Sequence, residues 1–379
     1  MRIAVNALSV VAGGGVTYLN QLFKHLAEID KKNEYFIITT KKGEEVLDAN
    51  YKNFRVISFK IPGISPFIRI FWEQIYLWYL LKQHKINIYY SPANIGFIIY
   101  PFPTVIMVQN IEPFDKITVK KHNIYSQLRL IILRVLTILS VKKAAKVIFI
   151  TNKVKKEVLH YCTLKEEKTS VIYHGRSKLF KPDLDYNRIL EIKKKYSLDK
   201  FILYVSNIYK HKNFFELIQA FSLIKDQINP DLKLVLIGKS FDNQYSELLK
   251  TLILKEKLGN RIVSFDYIPY EELPCFYALC HLYVYPSTCE SFGMTLVEAM
   301  ACGAPVLTSH REPMPEICQE AALYFNPSDP CDIAEKIKAV LLDNNLSQKL
   351  KHLSLQRANY FSWEETAKKT LQIWHDLSF

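Results

Sequence analysis

Runs of four to six mostly β-branched and aromatic residues recur along this chain, separated by segments long enough to form helices. In the first half they are RIAV (2–5), YFIITT (35–40), RVISF (55–59), INIYY (86–90), TVIMV (104–108), KVIFI (146–150) and SVIYH (170–174). The second half repeats the scheme with FILYVS (201–206), LKLVLI (232–237), RIVSF (261–265), HLYVY (281–285), PVLTS (305–309) and ALYF (322–325). Apolar runs of this kind read as strands covered on both faces, and helical connections between them make the sheets parallel. Two such series predict an α/β chain of two doubly wound, Rossmann-like domains. The polar, turn-rich stretch HGRSKLFKPDLD marks the boundary, which the pattern sets at 1–180 against 181–362.

Three apolar segments need separate treatment. The uncharged run Ile86–Ile111 contains Pro92, Pro101, Pro103 and Gly96, which a single lipid-exposed helix does not tolerate together, so it reads as two strands and a loop. FIRIFWEQIYLWYLL (67–81) and LRLIILRVLTILSVKK (128–143) each read either as a core helix, the commoner case, or as a helix lying on a membrane face.

Charge sharpens that choice. The chain has 379 residues, with 50 Lys and Arg against 37 Asp and Glu, for a net charge of +13. Residues 115–170 alone hold 13 cations and 4 acids, so this part attracts something anionic or is a solvated basic face. The seven cysteines, Cys162, Cys275, Cys280, Cys289, Cys302, Cys318 and Cys331, form no CxxC pair. No basic-then-apolar leader opens the sequence. Reduced thiols and a cytoplasmic setting are expected, with peripheral contact to the inner, anionic membrane face as the membrane hypothesis.

Ligands of open parallel sheets bind beyond the carboxyl ends of the strands, so candidate chemistry belongs to the loops that follow them. After the first strand, Gly13-Gly14-Gly15 precedes a helical pattern; it is either an anion-binding loop or a plain flexible turn. In VSNIYKHKNFFELIQAF, Lys210, His211 and Lys212 form a cationic cluster after the first strand of the second domain, suited to a diphosphate or simply exposed. CESFGMTLVEAMACGAPVLT holds Glu290 in a loop and Glu298 inside the following helix, with Gly303 as its C′ residue. The helical rise sets the two carboxylates roughly 10 Å apart, the length of a nucleotide sugar. On spacing alone, Ser287-x-x-Glu290 and Thr295-x-x-Glu298 also fit capping boxes, and both readings stand.

The stretch PSTCESFGMTLVEAMACGAPVLTSHREPMPEICQEAALYFNPSDP closely resembles the E-x7-E region of the family-4 retaining glycosyltransferases, which have the GT-B fold. YHGRSKLF, LYVSNIYKHKNFFELIQAF, LVLIGKS, FDYIPYEELPCFYALCHLYVYPS and FSWEETAKKTL resemble the same family, as do FWEQ, SPAN and MVQNIEPF in the first half. The resemblance implies two Rossmann-like domains facing across a cleft, the first binding the acceptor and the second the nucleotide sugar. A terminal helix, about 363–379, would cross back to the first domain.

It also implies roles. Glu298 would accept hydrogen bonds from the ribose, and Glu290 would contact the donor sugar. Phe292, Gly293, Met294 and Thr295 would line the donor, largely through main-chain amides. Lys212 would neutralise the leaving diphosphate, and Gly14 and Gly15 would close on the same phosphates. Two positions depart from the family pattern. Ser206-Asn207 stands where many members have an arginine, so Lys210 is expected to supply that charge. Gln109-Asn110 stands where many have a His-Asp pair, so Asn110 is expected to hydrogen-bond a sugar hydroxyl as a neutral group.

The expected function is therefore retaining transfer of a hexose to a saccharide or lipid-linked acceptor in cell-surface polysaccharide or lipopolysaccharide assembly. SPAN and QNIEPF are similar to mannosyltransferases of surface polysaccharide assembly, which makes mannose the first choice and GDP-mannose, or another nucleoside diphosphate sugar, the donor. No His-rich cluster is present, and metal independence and no cofactor are expected. The alternative is another sugar enzyme of this architecture, a nucleotide-sugar epimerase or a glycan phosphorylase. Nucleic acid is not expected as a partner, because the positive charge lies beside apolar helices and no recognised module appears.

Overall fold

The computed structural model describes residues 1–11, 13–60, 66–99 and 102–377. Every apolar run becomes a strand. The first series gives β1 (Arg2–Asn6), β2 (Glu34–Thr40), β3 (Phe54–Phe59), β4 (Ile88–Ser91), β5 (Thr104–Val108), β6 (Lys146–Phe149) and β7 (Thr169–Val171). The second gives β8 (Phe201–Val205), β9 (Lys233–Ile237), β10 (Ile262–Phe265), β11 (Leu282–Tyr285), β12 (Val306–Ser309) and β13 (Ala322–Phe325). They form a seven-stranded sheet ordered β3-β2-β1-β4-β5-β6-β7 and a six-stranded sheet ordered β10-β9-β8-β11-β12-β13. Pairing within both is parallel, and the central strands β5, β8 and β11 are buried along their whole length. The order reverses once in each sheet, between β1 and β4 and between β8 and β11, which opens a crevice at those carboxyl ends.

The chain divides into two compact units, Met1–Gly175 with Ser362–Phe379, and Arg176–Phe361. The break precedes the sequence-based boundary by five residues, for a packing reason. His174 is buried in the first unit between Tyr18 and Trp363, at ring distances of 5.0 and 5.4 Å, and burial pushes its pKa down to about 3. Phe180, from the same motif, packs edge-on against Tyr270 and Tyr277 of the second unit. Gly175 between them has no room for a side chain, since a Cβ would lie 2.0 Å from the Trp363 nitrogen.

The last helix, Trp363–His375, is capped by Ser362, whose hydroxyl accepts from the Glu365 amide. It buries Trp363, Thr366, Ala367, Thr370, Ile373 and Trp374, and packs on the helix Gly14–Ile29. Trp374 meets Tyr90 of β4 edge-on at 5.2 Å.

The apolar segments resolve differently. Residues 86–111 make β4, β5 and their connection, with Pro101 outside the described residues. Residues 67–81 split into helix Pro66–Trp72, a π turn Glu73–Leu77 and helix Trp78–Gln83. Ile70, Leu77, Leu80 and Leu81 face the core, while Phe71, Ile75, Tyr76 and Tyr79 are exposed. The FWEQ acid and amide are structural. Glu73 accepts from Asn6 Nδ2 at 3.1 Å and pairs with Arg69 at 3.2 Å, while Gln74 bonds the Gly96 carbonyl and the Ile98 amide.

The core-helix reading of 128–143 does not hold. The helix runs Ile124–Lys143, begins at an Asn123 cap, and buries only Leu130, Thr137, Ser140 and Val141. Among the described residues it is the one helix long and apolar enough to cross a membrane. All seven cysteines are free, and only Cys331 is exposed.

Candidate active site

Two loops leave the second sheet where its order reverses, and they are tied together at one atom. β8 leads through Ser206 and Asn207 to a 3-10 turn, Lys210–Lys212, and Asn213 at a φ of 63° starts the helix Phe214–Ile224. β11 leads through Ser287, Thr288 and Glu290 to the helix Met294–Ala301. The His211 carbonyl oxygen accepts from the Thr288 amide (2.8 Å), the Thr288 hydroxyl (3.1 Å) and the Ser287 hydroxyl (3.2 Å). Three donors on one acceptor fix the register of the two loops.

That register brings Lys212 to Glu290. Lys212 Nζ donates to Glu290 Oε1 at 2.5 Å, and the Tyr285 hydroxyl donates to the same oxygen. The two side chains are only 16% and 10% exposed. Burial works to raise the Glu290 carboxyl, but the Lys212 ammonium and the Lys212 and Tyr285 hydrogen bonds hold it below its ordinary value. The Glu290 carboxyl is thus held ionised within the ion pair.

Glu298 sits in a contrasting environment. Its Oε1 accepts from the Tyr270 hydroxyl and its Oε2 from the Tyr277 hydroxyl, both at 3.2 Å. Burial pushes its carboxyl up to about 7, against the pull of the two phenols. Burial likewise raises both phenols, so each stays neutral and donates. Phe180 packs edge-on against both tyrosine rings and holds them in place.

The capping-box reading is excluded. The helix Met294–Ala301 starts at Gly293, with no side-chain cap and no acid in its first turn. Ser287 spends its hydroxyl on the His211 and Cys289 carbonyls, and Thr295 lies beside Tyr283. The positive end of the helix dipole is left without a carboxylate of its own. Gly293 has a φ of 91°, and a Cβ there would meet Leu296 at 3.1 Å, so the turn requires glycine. The Phe292 side chain is core, edge-on to Phe361 at 5.7 Å, and Met294 is partly buried.

The remaining predicted residues are placed as follows. Lys210 is exposed and its Nζ lies 4.0 Å from Asp242, rather than joining Lys212 at Glu290. Asn207 is exposed, and the Ser206 hydroxyl donates to its carbonyl at 3.3 Å. Gly14, Gly15 and Asn110 belong to the first unit. Gly14 begins the helix Gly14–Ile29, and a Cβ there would touch nothing within 4 Å, so packing does not explain its lack of a side chain. Gly15 meets only the Val10 methyls, from 3.5 Å. Asn110 is exposed after β5; its Oδ1 accepts from the Glu112 amide at 2.9 Å, and Asn94 holds its backbone.

Three tyrosines central to this site, Tyr270, Tyr277 and Tyr285, were not singled out by sequence reasoning. The available signal was partial: Tyr283 and Tyr285 alternate along β11 and so share a face. Among the described residues, no group of three His, Cys, Asp or Glu could hold a metal ion.

Comparison with known proteins agrees with this arrangement. Residues 12–177 match the domain described as Glycosyltransferase Family 4, and residues 185–355 match Glycosyl transferases group 1. The chain is 31% identical over 237 residues to the serotype-specific mannosyltransferase WbdA of Escherichia coli, covering 61% of this chain and 29% of WbdA. It is 31% identical over 184 residues to the Escherichia coli O-antigen chain mannosyltransferase B, covering 48% of each. The chain therefore matches less than half the length of either relative. HepE of Anabaena, solved in complex with UDP and glucose, shares the fold with a TM-score of 0.77 and 18% identity, over 99% of this chain and 100% of HepE. With both sheets, the E-x7-E helix and two successive domain matches in agreement, the chain belongs to the family-4 glycosyltransferases and has the GT-B fold.

Proposed function

We propose that this protein transfers a hexose, mannose in the first instance, from a nucleoside diphosphate sugar to a saccharide or lipid-linked saccharide acceptor, with retention at the anomeric carbon. The setting is cell-surface polysaccharide or lipopolysaccharide assembly, on the cytoplasmic side of the membrane. The observation that carries the reading is the Lys212–Glu290 pair at the reversal between β8 and β11, beside an uncapped helix start. GDP-mannose is the first donor to test, because the relatives bear the names of mannosyltransferases.

Each member of the pair compensates the other's charge. A donor offers both a new partner: phosphate oxygens for the Lys212 ammonium and sugar hydroxyls for the Glu290 carboxylate. Glu298 accepts from the ribose, and the amides of Phe292 to Thr295 face the diphosphate. As the anomeric C–O bond breaks, negative charge grows on the bridging phosphate oxygen. An ammonium already oriented toward it stabilises that charge without reorganisation. No enzyme nucleophile is assigned: the acceptor hydroxyl attacks the anomeric carbon on the same face within the resulting ion pair, and its proton passes to the departing phosphate oxygen. Gly14 and Gly15 admit the phosphates, while Asn110 binds a sugar hydroxyl through its amide. No divalent metal takes part, since the ammonium and helix amides meet the diphosphate charge.

Thermal-shift measurement with GDP-, UDP- and dTDP-sugars tests the donor, followed by nucleotide release with and without acceptor. One sugar nucleotide should raise the melting temperature, and release should depend on acceptor sugar. Lys212→Ala should lower kcat by about 10²–10³-fold with little change in KM. Stabilisation by none of these nucleotides would remove the reading. Turnover should persist in EDTA, and its loss there would overturn metal independence.

A further inference from the structure

The helix Ile124–Lys143 turns an apolar face to solvent. Ile124, Leu128, Ile131, Val135 and Leu139 are all exposed, Ile124 by 85% and Leu128 by 57%. At 100° per residue these five fall within an arc of about 80°, opposite the buried Leu130, Thr137 and Val141. An ordinary surface helix has polar residues on that arc. The surrounding charge has one sign: residues 116–143 contain seven Lys and Arg and no Asp or Glu. Of these, Lys116, Lys120, Lys142 and Lys143 are exposed.

From this face we infer that the helix is a membrane-docking element, which lies in the surface of a bilayer rich in acidic phospholipid with its apolar arc inserted and its cations on the headgroups. Charge selects the occupant. A second copy would set seven cations against seven, whereas acidic headgroups over acyl chains complement both features of the face. The helix lies on the bilayer and does not span it. Ala144 and Ala145 join it directly to β6, an interior strand between β5 and β7, and the Ala145 amide already donates to Thr104. Crossing the bilayer would pull β6 out of the sheet. The inference stands on this helix alone, whatever the donor sugar proves to be.

Co-sedimentation of the whole chain with vesicles of phosphatidylcholine plus phosphatidylglycerol, against phosphatidylcholine alone, is the test. Binding should require the acidic lipid and weaken with salt. The double variant Ile131→Glu/Val135→Glu should lose binding on the order of tenfold or more, with an unchanged melting temperature because both side chains are exposed. Lys142→Ala/Lys143→Ala should also weaken it on the order of tenfold. Nucleotide binding, measured without vesicles, should be unchanged in all of these variants. No sedimentation with acidic vesicles at low salt would overturn the inference. So would a double variant that binds like the parent, or light scattering that finds a dimer dissolved by Ile131→Glu/Val135→Glu.

Discussion

Among the described residues the Glu298 carboxyl accepts from two neutral phenols, and burial has pushed it from 4.5 up to about 7. An acid that binds its proton more tightly when folded loses stability as pH rises from its unfolded value to its folded one. The empty protein should therefore weaken between pH 4.5 and 7 on this account, by up to about 3 kcal/mol in all. Glu298→Gln removes that cost, and its melting temperature should exceed the parent's at pH 8 but not at pH 4. Ribose hydroxyls favour the ionised form, so nucleotide affinity should fall as pH drops below 7 in the parent and be weak and pH-independent in the variant. Calorimetry and titration across pH 5–8 would check both. Both acids were legible in the sequence, through their spacing and the family motif. Their opposite environments were not, because Tyr270 and Tyr277 reach Glu298 only through packing of separate elements, and Lys212 reaches Glu290 only through the shared His211 carbonyl.

Elements were the most legible level. Strands buried on both faces leave an uninterrupted apolar record, and every predicted one formed. The helix Ile124–Lys143 escaped that logic, because composition records how apolar a segment is and not whether anything covers it. HGRSKLF was read as part of a polar, turn-rich boundary, yet its residues are specialised: a buried neutral imidazole, a glycine against backbone, and the ring that supports two tyrosines. Gly175→Ala tests the middle of that motif. Its Cβ would fall 2.0 Å from the Trp363 nitrogen, inside rigid backbone. We expect a loss of about 1–3 kcal/mol by denaturant titration, concentrated in the first unit.

For the whole molecule, the charge has a geography: the excess of cations in residues 115–170 belongs to the first unit, as does the apolar arc. Lys212, Glu290 and Glu298, the proposed nucleotide-sugar contacts, belong to the second. The presence of two units was readable from the repeated strand series, while the return of the chain to the first unit came only from the family resemblance. That return imposes an order on biosynthesis. The partner of the helix Gly14–Ile29 is made about 200 residues after the first unit's sheet is complete. At about 5–20 residues per second, Tyr18 and its neighbours stay uncovered for roughly 10–40 s. The nascent first unit thus carries an apolar groove until Trp363–His375 returns to close it, and any ribosome that stalls inside the second unit releases a fragment with that groove open.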